Sequence, residues 1–553
     1  MASRGVSRIA RAACATVVAV SLLTACVPVS PPSPGPNSSF STEPGGVQGT
    51  LQPTGEPFPL PVPANVYTDV TSPDRQDGSY DPNVRPPGMT DPPPGTGYDR
   101  YYKQKVKWGS CTSPKSGTQC AHVLAPLDWR HPDGAAITLV MKRRAATSAP
   151  ADPDSPDLFV NPGGPGASAQ NLVDYFNTTG LTGFNIVGLD PRGSGESTPV
   201  VCGTTAELDA YFDLDSSPDD DAEKATLIDG TKKFAQQCRD HSGALLDHIT
   251  TIDAVYDFDM VRQLLGDKKF NWLGYSYGTF IGAVYLELFP NNAGRMILDG
   301  AVNITENSSF SQAEGFEQAL HKYAKWAATS GYGASEDAVI KKITDFATYL
   351  DGAPLKVGKR QLTQSLYIQG ISQAMYYGAD YYSSLASILQ FTIDNNNGSY
   401  MLQLADSMNG RSANGYDSMA TAFPAIACAD SADNGIDDSF SQWKDDSVKS
   451  PIFAYYWGPG LVCEVWTAKP AVQIDFRGAD DPPFLVIGGT GDNATPYQYS
   501  QWMVQQMPAG ILVTRDGVGH CSYGQGSSCI DKIVRAFLAK GTLPDAGVVC
   551  PMD

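Results

Sequence analysis

The feature that most constrains this chain is a pentapeptide, Gly274-Tyr275-Ser276-Tyr277-Gly278, wedged between two segments of opposite character. Before it, Phe270-Asn271-Trp272-Leu273 is a short apolar run of the kind buried in a sheet. After it, residues 279–289 carry helical spacing and stop at Pro290. A chain passes from strand to helix in so few residues only through a sharp turn, and the glycines flanking Ser276 supply the backbone freedom for it. The turn leaves the Ser276 hydroxyl clear of the sheet, at the N-terminus of the helix. In that context Ser276 reads as a nucleophile rather than as a structural turn residue.

The rest of the chain alternates strand and helix signals, which points to the α/β class. Residues 106–108 and 121–124 read as early strands, 136–141 as a stronger one, and 157–160 and 184–190 as buried strands. Val255, Phe258, Val261, Leu264 and Leu265 have helical spacing over 254–265, and 295–299 is the next strand. From 303 to 450 strand signals nearly vanish, and helical, Tyr- and Ala-rich segments such as 373–389 take over. Strands return at 483–488 and 510–513, and 530–538 reads as a closing helix. The expected organisation is a sheet domain in two parts, 98–302 and 451–553, split by a helical cap, 303–450. A chain of 553 residues is long enough for a large core plus such an insertion.

A serine hydroxyl needs a base to take its proton. In folds built around such an elbow the order is serine, then acid, then histidine. Six histidines exist, and only His321 and His520 follow Ser276. His321 falls within a cap helix, whereas His520 follows a late strand, so His520 is the expected base. Asp492, at the end of the run Leu485-Val486-Ile487-Gly488-Gly489-Thr490-Gly491, is the expected acid; Asp475, Asp480 and Asp481 precede that strand. The oxyanion that forms in acyl transfer needs backbone donors. One is the N–H of Tyr277. The other comes from Asn161-Pro162-Gly163-Gly164-Pro165-Gly166, where Pro165 has no N–H and Gly163 or Gly164 can donate, Gly164 being the choice.

The N-terminus reads as an export signal. Arg4, Arg8 and Arg11 precede an apolar run over 12–23 that is too short to span a bilayer comfortably. Leu23-Thr24-Ala25-Cys26 has the form of a lipobox, which predicts a lipid on Cys26 and a cell-surface lipoprotein, with plain secretion as the alternative. Residues 27–97, dense in Pro, Ser and Gly, read as a flexible tether. Loss of the signal arginines takes the formal charge from −20 to −23, which argues against nucleic acid or an anionic membrane surface as partner. The lipid anchor would be the only membrane contact, and a monomer is expected. Eleven cysteines fit an oxidising compartment. With Cys14 and Cys26 set aside, proximity pairs Cys111 with Cys120, Cys202 with Cys238 and Cys428 with Cys463; of the last three, Cys529–Cys550 is favoured, leaving Cys521 free beside His520. There is no CxxC pair and no HExxH, so no metal is expected.

Taken together, these pieces resemble the secreted tripeptidyl aminopeptidases of actinobacteria, a branch of the proline-iminopeptidase-like serine peptidases with the α/β-hydrolase fold. The resemblance rests on NPGGPG at 161–166, DPRGSGES at 190–197, NWLGYSYGTFIGAVYLELFP at 271–290 and RMILDG at 295–300. It continues in GDNATP at 491–496, Gly519-His520, and a tail with Cys529, Gly541-Thr542-Leu543-Pro544 and Cys550, and it spans 105–553. The resemblance implies an exopeptidase that releases short peptides, typically tripeptides, from free N-termini, without a cofactor. The Cys529–Cys550 pairing also looks like the family pattern. Relatives with the same skeleton are carboxylesterases, which is the alternative. The family implies an acidic group on the cap side that holds the substrate amine; Asp430 is the choice, with Glu314 and Glu317 as rivals. The stretch 190–197 is expected to be structural.

Overall fold

The computed structural model describes residues 59–553 except 65, 68–71, 77, 113, 114, 116, 151, 306, 432, 479 and 480. The export signal, Cys26 and the first half of the expected tether therefore lie outside the described residues. One mixed sheet organises the chain. Its strands are β1 (Met89–Thr90), β2 (Thr118–Pro126), β3 (Ala136–Arg144), β4 (Asp157–Asn161), β5 (Asn185–Leu189), β6 (Phe270–Tyr275), β7 (Ala293–Asp299), β8 (Phe484–Gly491), β9 (Gly510–Val518) and β10 (Val549–Pro551). The order across the sheet is β10-β9-β8-β7-β6-β4-β5-β3-β1, with β2 pairing the other edge of β3. Strands β4 to β10 pair in parallel, and β3 runs antiparallel to β5 and to β2.

The strand period of two divides the core into two faces. Phe159, Phe270, Trp272, Met296, Leu298, Phe484 and Val486 enter one apolar cluster, while Leu158, Val160, Leu273, Ile297, Leu485 and Ile487 enter another. Both faces are covered, which is why β4 and β6 are buried at every position and read as continuous apolar runs. The helices used below are α1 (Ala169–Tyr175), α2 (Thr251–Leu265), α3 (Tyr277–Leu288), α4 (Gln312–Thr329), α5 (Gln364–Tyr376), α6 (Met419–Asp430), α7 (Phe453–Trp457) and α8 (Ser528–Lys540). No helix among the described residues is long and apolar enough to cross a membrane.

Residues 303–450 are mainly helical and build a core of their own around Phe316, Leu320, Tyr323, Leu366, Ile371 and Leu385. Two short hairpins, Leu355–Val357 with Arg360–Leu362 and Arg411–Ser412 with Gly415–Tyr416, interrupt the helices. The expected boundary at 450 cuts this core. Ile452 and Phe453 belong to it, and Glu317 of α4 accepts their N–H groups at 3.2 and 3.1 Å. Conversely α6, inside the expected cap range, joins the sheet domain through Ala422, Ala425, Ile426 and Ala429.

Two further expectations are corrected. Residues 106–108 form no strand, because the Gln104 side chain takes both backbone groups of Leu124 on β2, donating to its O at 2.7 Å and accepting from its N at 2.8 Å. Only Gly109 bridges to Cys120. The expected tether also ends before Gly97. The Tyr256 hydroxyl donates to Pro61 O at 2.7 Å, Val66–Tyr67 pairs with Gln473–Ile474, and β1 joins the main sheet. Arg75 donates Nε to Asp433 at 2.8 Å and Nη2 to Cys428 O at 3.2 Å, and Ser72 N donates to Asp433 at 2.7 Å. These residues form a strap across the body, because their polar groups find partners that a free tether lacks. The disulfides Cys111–Cys120, Cys202–Cys238, Cys428–Cys463 and Cys529–Cys550 are formed as expected, and Cys521 is buried and joins no disulfide.

Candidate active site

The parallel strands align their carboxyl ends: Asn161 pairs with Gly274, and Tyr275 and Ile487 both pair with Asp299. Loops that leave these ends meet at one place, as is usual for ligand sites in such sheets. Ser276 sits there, between β6 and α3, at φ 54° and ψ −122°. Among the described non-glycine residues, positive φ occurs only at Ser276, Asn396 and Cys521, so two of the three lie at this site. Tertiary contacts hold the strained turn. Ser276 N donates to Asp299 O at 2.9 Å, and Trp272 Nε1 donates to Gly278 O at 3.0 Å. Gly274 is sterically required, since a Cβ there would lie 2.3 Å from Gly278 O, and one on Gly278 would press on Asn161 Oδ1 at 3.0 Å.

His520 follows β9 and Asp492 follows β8, and the parallel pairing brings them together. His520 Nδ1 lies 2.9 and 3.0 Å from the two Asp492 carboxylate oxygens, both residues being buried. Asp492 also accepts the N–H groups of Ala494, Thr495 and Cys521 at 2.8 to 3.0 Å. Burial opposes ionisation of Asp492, but His520 and these N–H donors outweigh it and hold the carboxyl below its ordinary value. The histidine loop is pinned by Asp299, whose Oδ2 accepts Ser522 N at 3.0 Å and Tyr523 N at 2.7 Å. Burial pushes the Asp299 carboxyl up to about 6 against those two donors. The Tyr376 ring from α5 meets the His520 ring edge-on, 5.5 Å between centroids.

Ser276 and His520 open onto one cavity of about 720 Å³, which is walled by aromatic and methionine side chains that include Phe212, Tyr416, Met419 and Phe423. Gly164 lines it as well. The Gly163 N–H is taken by Asn161 Oδ1 at 2.8 Å, so of the two candidate donors Gly164 is the one that side chain does not engage. A Cβ on Gly163 would lie 2.6 Å from Tyr275 O, which shows how closely this loop meets the elbow.

The rival residues lie elsewhere. His321 Nδ1 pairs with Glu336 at 2.8 Å, Asp475 pairs with Arg477, and Asp481 precedes β8, at the end of the strand away from the site. Asp480 lies outside the described residues. The three acids expected at a substrate amine do not line the cavity. Glu314 caps α4 with Ser311, and Glu317 accepts from Ser450, Ile452 and Phe453. Asp430 accepts both the N–H and the hydroxyl of Thr251, at 2.8 and 2.6 Å; burial raises its pKa to about 7, with Thr251 acting in the opposite direction. Among the described residues, the carboxylates that do line the cavity are Glu196 and Asp417. Burial raises Asp417 to about 6. Lys142, which also lines the cavity, is paired with Asp174 at 3.0 Å.

The stretch 190–197 is structural at most positions: Asp190 accepts from Ser168, Gln170 and Glu196 N, and buried Arg192 forks onto Asp257. Glu196 is the exception. Its N–H is fixed on Asp190 at 2.9 Å while its exposed side chain faces the cavity. Gly195 N donates to Ser418 Oγ at 2.7 Å, which brings the loop of Glu196 beside that of Asp417. Sequence reasoning passed over Glu196. The available signal was a lone acid in a glycine-rich loop at the carboxyl end of β5.

Comparison with known proteins adds family information. A family model described as alpha/beta hydrolase fold matches residues 156–329, and one described as TAP-like protein matches 450–550. The chain is 32% identical to the serine protease Hip1 of Mycobacterium tuberculosis over 488 residues, 81% of this chain and 91% of that protein. It is 28% identical to the tripeptidyl aminopeptidase of Streptomyces lividans over 490 residues, 82% and 87% of the two chains. It is 33% identical to carboxylesterase B of Mycobacterium tuberculosis over 473 residues, 80% and 89%.

Proposed function

The chain belongs to the tripeptidyl-aminopeptidase-like family of α/β-hydrolases and is a serine hydrolase, and on that premise we propose that it is a peptidase that releases short peptides, tripeptides above all, from free N-termini. The observation that carries this reading is the composition of the cavity. Ser276 and His520 share it with Glu196 and Asp417, while its lysine is neutralised by Asp174. Acids that share the nucleophile's cavity and have no cationic partner among the described residues favour a cationic substrate, although Asp417 Oδ1 also accepts the Met419 N–H at 3.0 Å. A peptide with a free amine brings its cation at a fixed distance from the scissile bond. Glu196, with Asp417 beside it, takes the role first expected of Asp430.

In the proposed chemistry, His520 Nε2 takes the Ser276 proton as Oγ attacks the scissile carbonyl. Asp492 holds the Nδ1–H and stabilises the imidazolium. The oxyanion accepts hydrogen bonds from the N–H groups of Tyr277 and Gly164. His520 then gives its proton to the leaving amine, and water, deprotonated by His520, cleaves the acyl-enzyme. The export signal and the lipid on Cys26 belong to the same proposal, and four disulfides are compatible with work outside the cytoplasm. A carboxylesterase is the second reading, favoured by the similarity to carboxylesterase B and by the apolar cavity wall.

The test compares a chromogenic tripeptide amide bearing a free amine with its N-acetyl twin and with a p-nitrophenyl ester. Turnover of the free-amine peptide alone, lost in Ser276→Ala, is expected. Glu196→Gln is expected to raise KM for that peptide about tenfold or more, the size of one charge-assisted hydrogen bond. Turnover of the ester alone would establish the esterase, and equal turnover of both peptides would remove the amine requirement.

A further inference from the structure

Asp430 ends α6, and its two carboxylate oxygens accept from one residue, Thr251, the first of α2. Thr251 is buried, with 1% of its surface exposed. Its hydroxyl donates to Asp430 and so has only a lone pair left for its other neighbour, the phenol of Tyr277. With Asp430 ionised, hydrogen bonds therefore run in one direction, from Tyr277 O–H to Thr251 Oγ1 and from Thr251 O–H to Asp430 Oδ2. Burial, and then the charge of Asp430, hold the Tyr277 phenol well above its ordinary value, so it remains a donor.

Tyr277 is the residue after the strained Ser276, and its ring and backbone are gripped from different sides. The ring is held by Thr251; the backbone begins α3. The phenol contact thus adds a side-chain anchor to the residue whose N–H follows the elbow. The far end of the chain belongs to α6, and the same helix lines the cavity with Met419, Ala420, Phe423, Pro424 and Ala427. Gln473 Nε2 anchors the helix end by donating to Asp430 O at 2.8 Å.

We propose that Asp430 is a positioning residue for the reaction: through Thr251 it fixes Tyr277 and thereby aims the Tyr277 N–H at the oxyanion, tying the cavity-lining helix α6 to the catalytic turn. The inference rests on the reading of Ser276 as nucleophile and Tyr277 N–H as oxyanion donor. Because an oxyanion donor acts on the transition state and not on bound substrate, a loosened donor lowers kcat and leaves KM. Removal of a whole oxyanion donor costs on the order of 10² to 10³ in kcat, and a displaced one costs part of that.

The test measures kcat and KM of Tyr277→Phe, Thr251→Val, Thr251→Ser and Asp430→Asn on the free-amine tripeptide amide, with thermal unfolding of each. A fall in kcat of about tenfold or more at unchanged KM is expected for the first two and for Asp430→Asn. Thr251→Ser, which keeps the hydroxyl, is expected to recover most of it. The double variant Tyr277→Phe with Asp430→Asn is expected to be no slower than the worse single, as for members of one chain. Tyr277→Phe deletes a single oxygen and decides the matter if another variant fails to fold. Unchanged kcat in folded Tyr277→Phe, or a loss carried by KM, would overturn the proposal. Activity surviving in Ser276→Ala would instead overturn the nucleophile assignment, so the two failures are distinguishable.

Discussion

At Gly163 the oxyanion loop and the nucleophile turn are in contact. The residue has φ +93°, and an added Cβ would lie 2.6 Å from Tyr275 O, 2.9 Å from Ser276 Cβ and 3.0 Å from Tyr277 N. Gly163→Ala therefore combines backbone strain with a clash against the catalytic turn. A loss of about 10²-fold or more in kcat is expected, read by chromogenic turnover beside labelling with a fluorophosphonate. Asp492→Asn keeps the shape of the acid but not its charge, and a fall of about 10⁴ in kcat is expected, with a lower melting temperature at neutral pH because the folded state holds this carboxyl below its ordinary value. The geometry brings Asp492 and His520 together as their order in the chain implies, because loops after parallel strands converge at one sheet end. Glu196 and the true environment of Asp430 were not legible. Which acid faces a cavity depends on which backbone groups claim the others, and those claims, such as Thr251 on Asp430, come from residues about 180 positions away.

Among the elements, α1 shows how tightly the helices are applied to the sheet. A Cβ on Gly188 of β5 would lie 2.2 Å from Ala169 O and 2.7 Å from Val173 Cγ2. Gly188→Ala must displace α1, at a cost of roughly 1–3 kcal/mol measured by denaturant unfolding. Because Ser168 and Gln170 at the start of α1 line the cavity, a rise in KM is expected with it. An unchanged midpoint would refute this packing. Strands buried on both faces were readable as apolar runs, since each position meets one core or the other. Residues 106–108 misled because Gln104, a side chain, took the backbone groups that a strand would have used. The strap over 72–90 misled for the opposite reason: its composition is that of a linker, yet Asp433 and β3 supply its partners from far along the chain.

For the molecule as a whole, stability carries a pH signature remote from the site. Asp157 and Asp267 are 3% and 2% exposed and lie together. Burial, and then the neighbouring Asp157 carboxylate, raise Asp267, and burial raises Asp157. The folded state thus holds a proton that the unfolded chain releases above the ordinary value of 3.8. It follows that stability falls as pH rises from about 4 until the folded pair ionises. Asp267→Asn removes that titration, and its melting temperature is expected to decline less steeply than the wild type's from pH 5 to 9; parallel curves would contradict the pairing. The strap has a consequence of another kind, for the timing of assembly. A chain is synthesised from its N-terminus, and Arg75 is made 358 residues before Asp433. The bridges Cys111–Cys120 and Cys202–Cys238 span 9 and 36 residues, and both partners of each precede Asp433 in the chain. Cys428–Cys463 brackets the stretch that brings Asp433. The strap is therefore a clasp whose first half waits through most of synthesis, and its closure joins the N-terminal segment to the end of α6 and to the sheet.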